Sequence, residues 1–264
     1  MVTVNLEGKT AIVTGGANGI GKAASVELAK AGASVVVCDI NYEGAQAVAE
    51  EIRKAGGKGR AIRTDVSSED DVNALVNQTL SEFNHIDILV NNAGVSKAVK
   101  FIDTDLAQFE KFLNVNIRGV YLCCQAVLPH MMRQNHGKIV NVASIAGREA
   151  DEFFVVYSAT KFAVIGLTQG LAKEMAEHNI NVNAVCPGIV RTELWENLLR
   201  QLKTSKEYQN LDNEEIWDQF MTTIPMRRSQ EPEDIANAIV FLSSDLAKNI
   251  TGQSLNICGG LRPR

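Results

Sequence analysis

The sequence has few of the features that mark secreted or membrane proteins. Its five cysteines are an odd number scattered through apolar stretches, which predicts buried, reduced thiols and not a disulfide framework. No uninterrupted apolar run is long enough to cross a bilayer, and the start has no basic segment followed by an apolar core. We therefore expect a cytoplasmic protein with no membrane partner.

Histidine and proline are also scarce, and positive charges are fewer than negative ones. The formal net charge is −5 and no basic stripe is interleaved with aromatic residues, so we expect no nucleic-acid partner. The four histidines show no pattern such as His-Glu-x-x-His, which predicts that no metal is bound. With five prolines and no linker, charge block or internal repeat, residues 1–264 are predicted to form one domain.

Short apolar runs alternate with longer segments of helical periodicity. This alternation is typical of an α/β protein whose doubly wound parallel sheet is covered by helices on both faces. Ligands of such sheets bind beyond the carboxyl ends of the strands, so functional residues should gather there. About seven strands are predicted, at residues 9–13, 33–38, 59–64, 86–90, 138–142, 181–186 and 253–257.

The first predicted strand runs directly into a glycine-rich turn, Thr14 to Gly21. Glycines let the backbone turn sharply and approach a pyrophosphate, which the amide groups of the following helix then hold. The spacing differs from the usual Gly-x-Gly-x-x-Gly, and such a turn can also be purely structural. The predicted dinucleotide contacts in this turn are Gly15, Asn18, Gly19, Ile20 and Gly21.

Asp39 ends the second predicted strand, about 20 residues beyond the glycines, where an acid can accept both adenosine ribose hydroxyls. Its charge would repel a 2′-phosphate, and no arginine stands at position 38, 40 or 41 to neutralise one. The cofactor is therefore predicted to be NAD and not NADP. Further cofactor contacts are expected at the ends of later strands, from Asp65, Val66, Asn92, Ala93, Gly94, Pro187 and Gly188.

Tyr157 and Lys161 stand four residues apart in a stretch of helical periodicity, so both project from one face of a turn. A phenol with a pKa of about 10 exchanges protons slowly at neutral pH, and a nearby ammonium is expected to lower that pKa. The pair is a candidate acid/base device, although the spacing alone also fits a solvated helix face. Ser144, thirteen residues before Tyr157 at a predicted strand end, can bring its hydroxyl to the same point.

These residues occur in an order that closely resembles the short-chain dehydrogenase/reductase family. The matching features are the glycine-rich turn, Asn91 to Gly94, Ser144, Tyr157 with Lys161, and Pro187-Gly188, and the resemblance runs from Lys9 to Gly260. It implies a single-domain Rossmann fold. It also implies four catalytic residues, which are Asn116, Ser144, Tyr157 and Lys161.

The resemblance assigns a role to each of these four residues. Tyr157 would exchange a proton with the reacting oxygen while nicotinamide transfers hydride, and Ser144 would donate a hydrogen bond to that oxygen. Lys161 would lower the pKa of Tyr157 and bind the nicotinamide ribose, so Tyr157 and Lys161 also count as cofactor contacts. Asn116 would hold a water that relays protons through Lys161, although a solvent-facing asparagine remains an alternative.

The resemblance also extends to the cofactor carboxamide and to assembly. Thr192 matches the family residue that contacts the carboxamide, and Val190 precedes it in the same loop. A homotetramer is implied, with the long helices containing Asn116 and Tyr157 packing between subunits. The C-terminal Arg262-Pro263-Arg264 carries two cations that either fray or reach acids of a neighbouring subunit.

Residues 192–224 are predicted to form a helical lid over the substrate. Apolar residues recur there at helical spacing in two groups, which predicts two amphipathic helices. The alternative is a fixed role in core packing. The residues of the two groups are Leu194, Trp195, Leu198, Leu199 and Leu202, followed by Ile216, Trp217, Phe220 and Met221.

The residues and the resemblance together predict an NAD(H)-dependent oxidoreductase that interconverts a secondary alcohol and a ketone. The stretch Cys186 to Trp195 resembles diacetyl/acetoin reductases and polyol dehydrogenases, which implies a small diol, hydroxyketone or sugar alcohol as substrate. One alternative is an NADPH-dependent 3-oxoacyl thioester reductase, which Asp39 and Asn18 oppose. The other is a dinucleotide-sensing protein without catalysis, which the presence of all four catalytic residues disfavours.

Overall fold

The computed structural model describes residues 4–203 and 208–263. The predictions that involve Met1 to Thr3, Arg264 and residues 204–207 of the lid lie outside this range. The side chain of Leu194 also lies outside the described residues.

All seven predicted strands are present, and they form one parallel sheet in the order β3-β2-β1-β4-β5-β6-β7. Each strand begins and ends within two residues of its predicted bounds, which confirms the α/β fold. The order reverses between β1 and β4, and this reversal opens the crevice in which ligands of such sheets bind. The strands are β1 (Thr10–Thr14), β2 (Ser34–Asp39), β3 (Lys58–Arg63), β4 (Ile88–Asn91), β5 (Gly137–Val142), β6 (Ile180–Pro187) and β7 (Ser254–Ile257).

Nine α-helices are found within the described residues. Polar side chains begin several of them: Asn41, Ser68 and Asp105 each accept a hydrogen bond from a backbone amide of the first turn. The helices are α1 (Gly19–Lys30), α2 (Tyr42–Lys54), α3 (Glu69–Phe83), α4 (Leu106–Leu113), α5 (Gly119–Gln134), α6 (Val155–Glu174), α7 (Glu193–Leu202), α8 (Asn213–Thr223) and α9 (Pro232–Leu242).

Helices cover both faces of the sheet and bury the central strands. One apolar cluster joins β-strand residues to α3, α5 and α6, and a second joins the opposite face to α1, α2 and α9. Strands β1, β4 and β5 are buried at every position, as expected for strands covered on both sides. Because the core fixes these strands, their carboxyl ends form a rigid edge for the site.

Helices α7 and α8 lie where the sequence predicts two amphipathic helices, and they have a small core of their own. Its centre is formed by residues such as Leu199, Leu202, Ile216 and Trp217. Asp212 begins α8 through a capping box with Glu215. This third cluster is separate from the two clusters on the sheet.

Three further expectations can be compared with the structure. All five cysteines are buried and have free thiols, as predicted. Among residues 4–203 and 208–263, no group of three or more His, Cys, Asp or Glu side chains is arranged to hold a metal ion. None of the helices in that part of the chain has the length and apolar character needed to span a membrane.

Candidate active site

The glycine-rich turn favours glycine at three positions, for reasons of backbone angle or of close contact. Gly15 and Gly19 have φ angles of +62° and +51°, in the left-handed region that favours glycine. A Cβ atom at Gly21 would lie 2.1 Å from the carbonyl oxygen of Gly15. Only a glycine therefore fits at Gly21, and the turn places the amino end of α1 at the crevice.

The turn is bound to the end of β4 by Asn92. Its side-chain nitrogen donates to the carbonyl oxygens of Thr14 and Gly15 at 3.0 and 2.9 Å. In return, the Thr14 hydroxyl accepts from the backbone amides of Asn92 and Ala93, each at 3.0 Å. These bonds hold the ends of β1 and β4 together at the point where the strand order reverses.

The two predicted acids lie at the ends of neighbouring strands. Asp39 faces the glycine-rich turn, because its Oδ2 accepts from the Ala17 amide at 3.1 Å and its Oδ1 from the Asn41 amide at 2.9 Å. Asp65 follows β3, and its Oδ1 accepts from both the amide and the hydroxyl of Ser67. Both carboxylates are thus fixed in orientation by local backbone.

Ser144 and Tyr157 meet at the cavity, although thirteen residues separate them in sequence. Ser144 ends the extended stretch after β5, and its hydroxyl oxygen accepts from the Ala146 amide at 3.1 Å. A hydrogen bond from Ser144 to the phenol lowers the pKa of Tyr157, but burial has the larger effect and raises that pKa to about 12. The direction is opposite to the sequence-based prediction, because removal of the phenol from water outweighs the stabilisation of its anion.

Lys161 is buried one helical turn after Tyr157. Its ammonium nitrogen lies 5.7 Å from the centre of the Tyr157 ring and donates to the carbonyl oxygen of Val142 at 2.8 Å. Burial lowers the pKa of Lys161 to about 8. A cation that titrates near neutral pH therefore lies beside the phenol.

Asn116 lies in a single turn of π-helix, Asn114 to Arg118, between α4 and α5. Its Oδ1 accepts from the Val95 amide at 2.8 Å, and its Nδ2 donates to the Val95 carbonyl at 2.9 Å and to the Thr160 hydroxyl at 3.1 Å. Thr160 in turn donates to the carbonyl oxygen of Tyr157 at 2.7 Å. The Asn116 side chain thus joins the loop after β4 to the helical turn that carries Tyr157, and it is buried and not solvent-facing.

One cavity of about 1160 Å³ connects these features. All the predicted catalytic and cofactor residues line it except Gly21 and Asn116. The cavity wall therefore includes Gly15, Asn18, Gly19, Ile20, Asp39, Asp65, Val66, Asn92, Ala93, Gly94, Ser144, Tyr157, Lys161, Pro187, Gly188, Val190 and Thr192.

Several lining residues are absent from the sequence predictions. Glu110, Lys111 and Asn114 reach the cavity from α4 and the π-helical turn, and Leu261 and Arg262 reach it from the C-terminal tail. The residues of α4 are mostly exposed and give no sequence signal for a ligand site. The tail is close to the site only because β7 lies next to β6, a contact that no local pattern reveals.

These observations fit a nicotinamide dinucleotide. The cavity runs from the amino end of α1, whose first turn contains no acidic residue, past Asp39 to the Ser144 and Tyr157 hydroxyls. Helix amino ends and close backbone approach suit a pyrophosphate. A carboxylate at the end of β2 suits ribose hydroxyls. The cavity is also larger than the roughly 300–1,000 Å³ typical of small-ligand sites, which leaves room for a second small molecule.

Comparison with known proteins gives consistent matches over most of the chain. The family profile described as short chain dehydrogenase matches residues 9–203. A 3-oxoacyl-(acyl-carrier-protein) reductase FabG of Staphylococcus epidermidis is 38% identical over 96% of this chain and 98% of its own length. A diacetyl reductase ((S)-acetoin forming) of the same species is 37% identical over 96% of this chain and 98% of its own length.

Two solved structures are also similar. The crystal structure of levodione reductase has a TM-score of 0.91 and 32% identity, and the match covers 96% of this chain and 97% of that one. A 3-ketoacyl-(acyl-carrier-protein) reductase from Brucella melitensis, complexed with NADH, has a TM-score of 0.87 and 36% identity, with 97% and 99% covered.

Proposed function

This chain belongs to the short-chain dehydrogenase family, and we propose that it is an NAD(H)-dependent oxidoreductase that interconverts a secondary alcohol and a ketone. The observation that carries the proposal is the position of Ser144, Tyr157 and Lys161 on the wall of one cavity, with the Lys161 ammonium nitrogen 5.7 Å from the centre of the Tyr157 ring. Two hydroxyl groups on one cavity wall can both hydrogen-bond to a single carbonyl oxygen.

Each of these residues has a task in reduction. A bound nicotinamide dinucleotide supplies the hydride that becomes bonded to the carbonyl carbon. Tyr157 donates its proton to the carbonyl oxygen, and Ser144 stabilises the charge on that oxygen by a hydrogen bond. Lys161 then returns a proton to the phenolate and is recharged from solvent. In the oxidative direction the same groups transfer the proton of the alcohol to solvent.

Dinucleotide binding is assigned to residues at the strand ends. The backbone of the glycine-rich turn and the first turn of α1 would hold the pyrophosphate, and Asp39 would accept the adenosine ribose hydroxyls. Asp65 and Val66 would contact the adenine. The nicotinamide carboxamide would be bound by Pro187, Gly188, Val190 and Thr192.

Asp39 favours NAD over NADP. A 2′-phosphate bound there would meet a fixed negative charge, and within the described residues no Lys or Arg nitrogen forms an ion pair with this carboxylate. Arg63 is the in-register neighbour of Asp39 on β3, but its guanidinium lies 3.9 Å from Asp71. A similar enzyme, the Brucella reductase, is described as complexed with NADH.

The substrate is assigned as a small diol, hydroxyketone or sugar alcohol, or the matching ketone. Apolar rings from Phe153, Phe154 and Trp195 line the cavity together with the carboxylates of Asp151 and Glu152. Rings and acceptors in one cavity suit a compact molecule with both a carbon skeleton and hydroxyl groups. The similarity to a diacetyl reductase supports this class.

A second candidate is a 3-oxoacyl thioester reductase. The 38% identity to the Staphylococcus epidermidis FabG favours it. Asp39, whose charge would repel the 2′-phosphate of NADPH, opposes an NADPH-dependent reductase of this kind.

A panel of substrates separates the two candidates. Initial rates with NADH and with NADPH are measured against vicinal diketones, hydroxyketones, cyclic ketones, sugar alcohols and acetoacetyl thioesters. We expect the highest kcat/KM with NADH and a small ketone. A higher kcat/KM with NADPH and an acetoacetyl thioester would favour the second candidate.

The protein is proposed to act as a homotetramer. Phe162, Gly166 and Gly170 are spaced by four residues along α6 and share one face. Phe162 is 46% exposed, and a Cβ at either glycine would meet no atom within 4 Å. A second copy of this face can approach closely there, and exposed Leu255 on β7 offers another contact. Sedimentation that shows a monomer would contradict the assembly.

A further inference from the structure

The C-terminal tail after β7 runs close to the end of α8 and reaches the cavity. At Gly259, which has a φ of +59°, a Cβ would lie 2.7 Å from the Ile224 side chain. At Gly260, with a φ of +86°, a Cβ would lie 3.3 Å from Pro225. The two glycines therefore let the tail lie close to the end of α8. Leu261 packs against the third apolar cluster, which is formed by α7 and α8.

Arg262 follows Leu261, and both its backbone and its side chain form hydrogen bonds. Its backbone carbonyl accepts from the Asn256 side chain at 2.6 Å, and its backbone amide contacts the Cys258 sulfur at 3.4 Å. Its guanidinium donates to Asp151 Oδ1 and to the carbonyl oxygen of Glu149, each at 2.6 Å. The Arg262 side chain is only 15% exposed. The tail therefore reaches acids of its own chain, and the cation is a fixed part of the cavity wall.

Glu149 and Asp151 belong to the segment that joins Ser144 to Tyr157. Residues 145–147 form a short 3-10 turn, and α6 begins at Val155. Arg148 binds the first half of this segment to β7, with its Nη2 2.6 Å from the Ser254 carbonyl and its Nε 3.3 Å from Asn256 Oδ1. Arg262 binds the second half. Asn256 contacts both arginines, so one β7 side chain sets the position of the two.

We propose that Arg262 is a positioning residue that fixes the segment 145–154 through Asp151 and Glu149, and thereby sets the substrate wall and the distance between the Ser144 and Tyr157 hydroxyls. This inference rests on the proposed function for its kinetic consequence. Charge-assisted hydrogen bonds are strong and directional, and the Arg262 side chain that donates them is only 15% exposed, so two of them can hold the exposed stretch from Glu149 to Glu152. Dinucleotide binding, at the glycine-rich turn, is independent of this contact.

The test uses the full chain with Arg262→Gln, Arg262→Lys, Asp151→Asn and the double variant. Loss of one charge-assisted bond corresponds to about a tenfold or larger fall in kcat/KM for the ketone. We expect a raised KM with a smaller fall in kcat, and an unchanged Kd for NADH. Arg262→Lys should restore part of the loss. The double variant should lose no more than the worse single variant, because both changes break one contact.

A second measurement is independent of turnover. Chymotrypsin cleavage after Phe153 or Phe154, located by mass spectrometry, should become faster in Arg262→Gln than in the wild type. Arg133→Gln removes an equal charge from the exposed last turn of α5 and should change neither cleavage nor kinetics.

The role of Arg262 would be overturned if Arg262→Gln and Asp151→Asn each lowered kcat/KM and the double variant lost the product of the two factors. A cleavage rate of Arg262→Gln equal to that of the wild type would also overturn it. Absence of turnover in the wild type would instead count against the proposed function. In that case the cleavage comparison still decides whether Arg262 fixes the segment.

Discussion

The ammonium nitrogen of Lys161 lies 5.7 Å from the centre of the Tyr157 ring. Burial moves the two pKa values apart, since it raises that of Tyr157 from 10.0 to about 12 and lowers that of Lys161 from 10.5 to about 8. The lysine therefore loses its proton more easily than the phenol does. This order suits a lysine that passes protons to a phenolate formed during reduction.

Replacement of Tyr157 by Phe removes the proposed proton donor and leaves the ring. We expect kcat to fall by about 10²–10⁴-fold, the usual contribution of acid/base catalysis. The Kd for NADH, measured by fluorescence titration, should change little. Tyr121→Phe is the matched control, because Tyr121 is exposed on α5. Retained turnover in Tyr157→Phe would remove the phenol from the mechanism.

Lys161 should destabilise the fold at neutral pH. Its folded pKa of about 8 is below the ordinary 10.5, so the unfolded chain binds more protons within that window. The free energy of unfolding should therefore rise as pH increases from about 8 to 10.5, and the full cost should be present below pH 8.

Lys161→Met tests this linkage. We expect a gain of about 1–3 kcal/mol in the free energy of unfolding at pH 7, with loss of turnover and a flatter pH dependence. Urea denaturation at several pH values gives the result. Lys173→Met, an exposed change near the end of the same helix, should show no gain. A less stable Lys161→Met would disprove the expected cost of burial.

Asn116→Ala should have the opposite effect on stability. The change deprives the Val95 amide, the Val95 carbonyl and the Thr160 hydroxyl of their Asn116 partner in a buried place. We expect a loss of about 2–4 kcal/mol by denaturant unfolding. Asn114→Ala alters an exposed neighbour and should stay within about 0.5 kcal/mol of the wild type. Equal stability of the two variants would exclude the bridging role.

Asp39→Ser should shift cofactor preference toward NADPH. Removal of the carboxylate takes away the repulsion of a 2′-phosphate and the acceptor for ribose hydroxyls. We expect the ratio of kcat/KM for NADH to that for NADPH to fall by about tenfold or more. Asp103→Asn, an exposed acid after β4, serves as the control. An unchanged ratio would show that another residue selects the cofactor.

The features predicted correctly from sequence are those set by local chemistry. Strand positions follow from short apolar runs, and the glycines at 15 and 21 are required because their backbones touch. Ser144 and Tyr157 come together because a strand end and a helix start meet at one sheet edge. Each of these relationships is contained in a short segment or in the general rules of parallel sheets.

The features that the sequence did not reveal depend on contacts between distant segments or on solvation. Arg262 bonds to Asp151, more than a hundred residues earlier, and no pattern in either segment indicates that pairing. The pKa of Tyr157 was expected to fall because Lys161 is close in sequence. It rises because of burial, which is set by the whole cavity and not by the spacing of two residues.

The most direct test of the central claim follows a deuterium atom. NADH deuterated at the transferring position of C4 is supplied with the ketone that gives the fastest turnover in the panel, and the product alcohol is analysed by mass spectrometry and NMR. The account predicts one deuterium, bonded to the carbinol carbon, in wild-type product, and product from Tyr157→Phe that forms about a hundredfold or more slowly. The account would be contradicted if the product contained no deuterium whichever of the two C4 hydrogens of NADH was replaced. It would also be contradicted if the protein bound the dinucleotide but turned over no carbonyl or alcohol.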